Sequence, residues 1–240
     1  MNVLPKLSQF LWSRPLACAL VATLSFAAAP VATQPALTGF PFTDEDLNYS
    51  INWPTGANLG EAHLHAKRSG TNWNFSMTLD AGLPGFGVKD TYRSDMGADY
   101  CSASFERSTS HGSHTSQEKQ TIDRGRATAA HNKVDIPVPA CVKDALTYLF
   151  YSRHELGQGR VPVAQEILFG ALHTIRVDYV GAPMIPINGK QVQSDKVTCT
   201  IGLGSSDYMF DVYFARDAAR TPLLITAPFA VGKFSMELIR

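Results

Sequence analysis

Between Leu47 and Trp53 the chain alternates Leu47, Tyr49, Ile51 and Trp53 with Asn48, Ser50 and Asn52, the period of two expected of a strand with one buried face. The alternation resumes after a turn at Pro54 to Asn58, with Ala62, Leu64 and Ala66 opposite Glu61, His63, His65 and Lys67. It resumes again after Ser69-Gly70, with Trp73, Phe75, Met77 and Leu79 on one face, so the three runs form a meander. Shorter strands are predicted at Val88 to Arg93, Gln117 to Ile122 and Arg126 to Val134, and residues 102–116 read as a Ser, Thr and His-rich stretch. Farther on, strands are predicted at Val161 to Phe169, Leu172 to Val180, Gln191 to Leu203, Tyr208 to Ala215, Pro222 to Phe229 and Gly232 to Ile239, with Asn188-Gly189 a hairpin turn. Only Val142 to Arg153 carries a helical period, through Val142, Ala145, Leu146, Leu149 and Phe150. Pro137 and Pro139 precede it and Gly157 is the expected stop. The fold class that follows is mostly β: a curved antiparallel sheet or open barrel of about twelve strands, with one short helix covering or plugging it.

Lys6 and Arg14 ahead of the apolar run Leu16 to Ala29 mark residues 1–27 as a secretory signal cut after Ala27. The run is too short for a membrane span, so no stable span is expected after cleavage. Residues 28–42 read as a proline-bearing extended linker, and residues 43–240 as a single β-rich domain in the periplasm or otherwise exported. Loss of the leader removes two of the 21 Lys and Arg and none of the 21 Asp and Glu, a net charge of 19 minus 21, or minus 2. Basic groups are small, such as Arg124 and Arg126 beside Asp123, which is no footprint for nucleic acid. Three of the four cysteines lie beyond the leader, and an oxidising compartment favours pairing. Cys199 alternates with Val197 and Ile201 as a small core residue, so Cys101 with Cys141 is the expected bridge, three free buried thiols being the alternative.

Chemistry-bearing patterns are sparse. His63 and His65 share a strand face and would present two imidazoles to a metal, with His111 or His114 as a third ligand; the competing reading is a solvated face and a polar loop. GLPGFG at 82–87 has no following helix or Lys and is not a phosphate loop. Ser205 lies between strands and not on a nucleophile elbow, and His154-Glu155 lacks the second His of a zincin helix. Asp44, Glu45 and Asp46 read as a solvated cluster at a strand start. Asp217 is expected to accept from following amides and pair with Arg220, and Arg153 to suit the helix end and pair with a strand carboxylate.

DALTYLFYSR at 144–153, DVYFARDAARTPLLI at 211–225 and GKFSMELI at 232–239, together with LNYSINW, GEAHLHA and QEKQTID earlier, resemble the bacterial exported family called domain of unknown function 3108 over residues 42–240. The resemblance implies a periplasmic antiparallel β domain with no assigned activity and no agreed catalytic residues. No cofactor motif is present, and an enzyme is the less favoured class. The expected role is binding of a lipid or other apolar or amphipathic envelope molecule between helix and sheet, lined by Leu146, Leu149, Phe150, Trp53, Trp73 and Phe75. The alternatives are a structural or interaction protein of the envelope without ligand, and a metal-dependent enzyme using His63 and His65.

Overall fold

The computed structural model describes residues 43–239 except 84, 132–133, 205 and 230–231, all within the compact unit Ala36–Arg240. The predicted leader and linker, 1–42, lie outside the described residues. The first strands are β1 (Glu45–Asn52), β2 (Asn58–Ser69), β3 (Asn72–Leu83), β4 (Phe86–Met96), β5 (Ser102–His111), β6 (His114–Asp123), β7 (Thr128–His131) and β8 (Val134–Pro137). After β9 (Lys143–Asp144) comes the helix α1 (Ala145–Gly157). The chain continues through β10 (Gln165–Phe169), β11 (Ala171–Gly181), β12 (Met184–Ile187), β13 (Lys190–Leu203), β14 (Ser206–Ala215), β15 (Pro222–Phe229) and β16 (Gly232–Ile239).

The hydrogen-bonded order runs β8-β7-β6-β5-β4-β3-β2-β1-β16-β15-β14-β13-β11-β10-β9, with β12 beside β13. Neighbours are antiparallel except the short β9–β10 pair. The ladder does not close, but its two ends pack together. The Val142 carbonyl accepts from Ser102 N at 3.0 Å, Gln120 Nε2 donates to the Gly170 carbonyl at 3.2 Å, and Ile122, Ala129, Val142 and Leu168 form one cluster. The sheet is therefore rolled around an interior, an open barrel held shut at the seam by a backbone hydrogen bond and by side chains.

Four of the sixteen strands among the described residues differ from the sequence expectation. β5 was expected to be polar loop; only Ser102 and Phe105 along it are buried, so its outer Ser and Thr positions hide the period. β8 and β9 are too short to show one, and β12 carries Pro186, tolerated because β12 pairs with β13 alone. The predicted hairpin at Asn188-Gly189 forms, with φ of 48° and 72°.

The helix begins at Ala145, three residues later than its apolar period suggests, because Asp144 is the N-cap. Asp144 accepts from the Leu146 and Thr147 amides, satisfying donors that the first turn leaves open. Nor is α1 buried by a stripe alone: Leu146, Thr147, Tyr148, Phe150, Ser152, Arg153, His154, Glu155 and Leu156 are all buried. It sits within one end of the barrel, where Phe150 stacks on Phe75 with ring centroids 3.9 Å apart and Trp73 stacks on Phe75 in turn. Cys101 and Cys141 are joined in a disulfide just ahead of the helix, and Cys199 is free and buried. Burial pushes the Cys199 thiol up to about 12, with Asp211 and Asp178 adding to it, so at neutral pH it is inert packing.

Candidate functional site

The end of the barrel opposite the helix is open. Aliphatic side chains from several strands line this mouth, Ile51 on β1, Leu79 and Ala81 on β3, Val88 on β4, Ile225 and Ala227 on β15, with Phe86 on β4 and Phe234 and Met236 on β16. Register makes these a continuous wall. Ile51 lies opposite Met236, Ile225 opposite Met236, Ala227 opposite Phe234, Ala81 opposite Val88, and Leu79 opposite Asp90. The wall encloses a pocket of about 500 Å³, within the range of roughly 300–1,000 Å³ usual for small-molecule sites.

Two glycines shape the rim. A side chain at Gly60 would place Cβ 2.0 Å from the Asp80 carbonyl, so β2 and β3 approach there only with glycine. At Gly112, with φ of +61°, a Cβ would meet the Phe86 ring at 3.1 Å; that ring lies over the β5–β6 turn and remains 47% exposed at the rim. Phe86 and Gly82 belong to the GLPGFG stretch, which thus supplies pocket wall instead of a phosphate cradle.

One polar group interrupts the apolar wall. The Asp90 carboxylate is 8% exposed; its Oδ1 is 2.8 Å from His111 Nε2, and its Oδ2 accepts from the Tyr92 hydroxyl at 3.0 Å. Burial, and the neighbouring Asp90, raise the Tyr92 pKa well above its ordinary value, so Tyr92 stays a donor. His111 and Ser235 are the other polar residues lining the pocket among the described residues, and neither Lys nor Arg lines it.

A second, enclosed cavity of about 190 Å³ lies deeper, between the helix and the far wall. Leu146 and Leu149 line it with Met77, Cys199 and Val212, and Ile225 borders both it and the open pocket. The residues expected to line a ligand site therefore separate into three settings. Leu146 and Leu149 face the enclosed cavity; Trp73, Phe75 and Phe150 stack on one another in the core; Trp53 packs edge-on against the pocket residue Phe234, centroids 4.8 Å apart. Sequence reasoning missed Asp90, Ile225 and Met236, each an ordinary strand position when taken alone, and it considered His111 only as a metal ligand.

The other candidate groups are accounted for locally. His63 Nδ1 is 2.5 Å from Asn48 Oδ1, and His65 Nδ1 is 3.2 Å from Asp46 Oδ1 on the outer surface. Among the described residues no three His, Cys, Asp or Glu side chains gather to hold a metal ion. Asp217 accepts from Thr221 N and Oγ1, but Arg220 turns away from it to Asp195 at 2.5 Å, where Arg216 and the Tyr179 hydroxyl also converge. Arg153 does meet a strand carboxylate: both terminal nitrogens donate to Glu45 at 2.7 Å and Nε donates to the Ala219 carbonyl. Glu45, read in sequence as part of a solvated cluster, is thus the partner of a fully buried guanidinium.

No curated protein matches the chain. Among solved structures it is similar to the beta-barrel-like protein of domain of unknown function DUF1849 from Brucella abortus, with a TM-score of 0.61 at 9% identity over 83% of this chain and 97% of that one. The shared feature at that identity is the fold. The model of the family described as protein of unknown function, DUF3108, matches residues 48–239, from β1 through the last described strand, and the chain belongs to that family.

Proposed function

We propose that this domain binds an apolar or amphipathic small molecule in the open end of its barrel, as an exported protein of the cell envelope, and does no covalent chemistry on it. The observation that carries the reading is the pocket of about 500 Å³ whose wall, apart from Asp90, His111 and Ser235, is built of aliphatic and aromatic side chains and backbone glycine. Removing such surface from water is worth about 25 cal/mol per Å², so an apolar occupant gains what an empty pocket forgoes. A larger groove of about 690 Å³ on the outside of the sheet is a poorer candidate: its Asp46, Asp95 and Glu106 already pair with His65, Ser104 and Lys119. No helix among the described residues is long and apolar enough to cross a membrane.

The test is a titration of the folded protein with N-phenyl-1-naphthylamine, which fluoresces in apolar surroundings. Wild type is expected to bind it, Ala227→Phe to weaken binding at least tenfold by filling the mouth, and Leu146→Trp, which fills only the enclosed cavity, to leave it within about twofold. Absence of binding to wild type would sink the reading in favour of an unliganded structural role, and a loss confined to Leu146→Trp would move the site to the inner cavity.

A further inference from the structure

The pocket has a chemical preference built into its one polar corner. Asp90 is nearly buried, and a carboxylate offers about four acceptor sites, of which Tyr92 and His111 occupy two. His111 closes the corner from the rim: its side chain is 47% exposed, and it lies opposite Val88 in the β4–β5 register, so the carboxylate is reached from the pocket and not from the outside of the sheet. Lys89, the cation next in sequence, points to the other face, where it pairs with Asp80 at 3.0 Å. Lys233, next to the pocket residue Phe234, is likewise directed away, 3.5 Å from Asp211. Arg107, on the inward face opposite Tyr92, is held by Glu118 at 2.7 Å, so the lining itself holds one carboxylate, beside His111, and neither Lys nor Arg.

We infer that the occupant is a single-chain amphiphile whose head donates hydrogen bonds and carries no negative charge, an amine or hydroxyl seated at Asp90 with the tail along Leu79, Val88, Ile225 and Met236. This rests on the binding reading above and adds the class of head group to it. An amine or hydroxyl finds the two unused acceptor sites of Asp90 against a largely apolar wall, where a charge-assisted hydrogen bond is stronger than in bulk water. A carboxylate or phosphate head at the same place would meet Asp90 as a like charge at low dielectric, which disfavours it. The tail runs toward Ile225, a residue that lines both the open pocket and the inner cavity.

Competition against bound N-phenyl-1-naphthylamine with dodecylamine, dodecanol and dodecanoate, each below its micelle concentration at pH 7, reads the preference directly. Dodecylamine and dodecanol are expected to displace the probe at concentrations at least tenfold lower than dodecanoate. Asp90→Asn should bring dodecylamine and dodecanoate to within about threefold of each other. If Asp90→Asn does not fold, Val88→Lys serves instead: a cation on the wall opposite His111 should make dodecanoate the best of the three competitors. Dodecanoate equal to or better than dodecylamine on wild type would overturn the inference while leaving the apolar site intact, as would an Asp90→Asn protein that keeps the full preference. A wild type that does not take up the probe would fail at the earlier step, and the head-group assignment would fall with it.

Discussion

At its helix end β3 contributes Trp73 and Phe75 to the barrel interior, and at its mouth end the same strand contributes Leu79 and Ala81. β4 passes from Ser94 and Met96 at the helix to Val88 at the mouth, and β1 from Glu45, which holds the helix, to Ile51, which lines the pocket. The two ends thus share strands and share an inward-facing period of two. They differ in side-chain volume and in what lies against the sheet. At one end aromatic rings and an inserted helix fill the space to contact distance; at the other, Ala81, Gly82 and Ala227 leave it open, and no second helix is present among the described residues to cover it. The difference teaches that alternation specifies which face is interior, whereas the volume along that face decides whether the interior is core or cavity.

The two ends also differ in one carboxylate each. The helix end carries a carboxylate with every site engaged: Asp144 is fully buried and accepts from Ser94 Oγ, Ser102 Oγ, Thr147 Oγ1 and two amides. Burial pushes its carboxyl up, against the pull of those hydrogen bonds. The mouth carries Asp90, half engaged.

The largest expected effect breaks the closed end. Arg153→Met leaves Glu45, 14% exposed, without its partner and should cost about 3–5 kcal/mol in urea denaturation, because a buried charge is then uncompensated. Adding Glu45→Leu should return most of that loss, since replacing both members of a buried pair is near neutral. Under conditions where Arg153→Met remains folded, probe affinity at the mouth should be unchanged. A variant that lost both stability and binding would show the two ends to be one unit.

Much of this was legible in the sequence, and the limits have physical causes. Leu47 to Trp53 and Trp73 to Leu79 read clearly as strands because one face is apolar and the other polar, and hairpin signals such as Asn188-Gly189 need only two residues. Asp144 displaced the helix start because a cap outweighs an apolar residue, Val142, that packs with Ile122 and Leu168 instead of continuing the turn. β5 was hidden since its partners supply the burial that its own Ser and Thr do not reveal. The pocket was hidden more deeply: Ile51, Val88, Ile225 and Met236 come from four strands spread over the chain, and only register unites them. The Arg153 and Glu45 pair, 108 residues apart, has the same character.

The next effect in size separates the ends through the one crosslink among the described residues. Cys101 and Cys141 are 40 residues apart, so the chain-entropy model assigns their bridge about 4 kcal/mol, and about 2–4 kcal/mol is the expected loss for the double Ser variant. Because the bridge stands beside Ser102 and the Asp144 cap, its loss should raise amide exchange first in α1 and β5, with the β15–β16 hairpin at the mouth least affected. Uniform exchange across both ends would contradict the division, and unchanged denaturation would show that the crosslink does not constrain the unfolded chain.

The smallest effect concerns proton binding at the closed end. His154 is 4% exposed, its ring lies 4.9 Å from that of Tyr100, and its Nδ1 has no hydrogen-bond partner. Burial lowers its pKa below the ordinary 6.5, opposed by Glu155 and reinforced by Arg160, which are themselves paired through two hydrogen bonds. The sign follows from linkage. Below pH 6.5 the unfolded chain takes up a proton at this position that the folded chain refuses, so stability present above 6.5 is lost as pH falls toward the depressed folded value. The slope from one such group cannot exceed about 1.4 kcal/mol per pH unit. His154→Phe keeps the ring contact with Tyr100 and removes the proton site, so denaturation midpoints between pH 7.5 and 5 should fall less steeply for the variant than for wild type. Probe binding at neutral pH should be the same for both, because the mouth shares no residue with this pair of rings. Parallel pH profiles for the two proteins would mean that the folded state accommodates the imidazolium, and the closed end would then be more open to water than its packing implies.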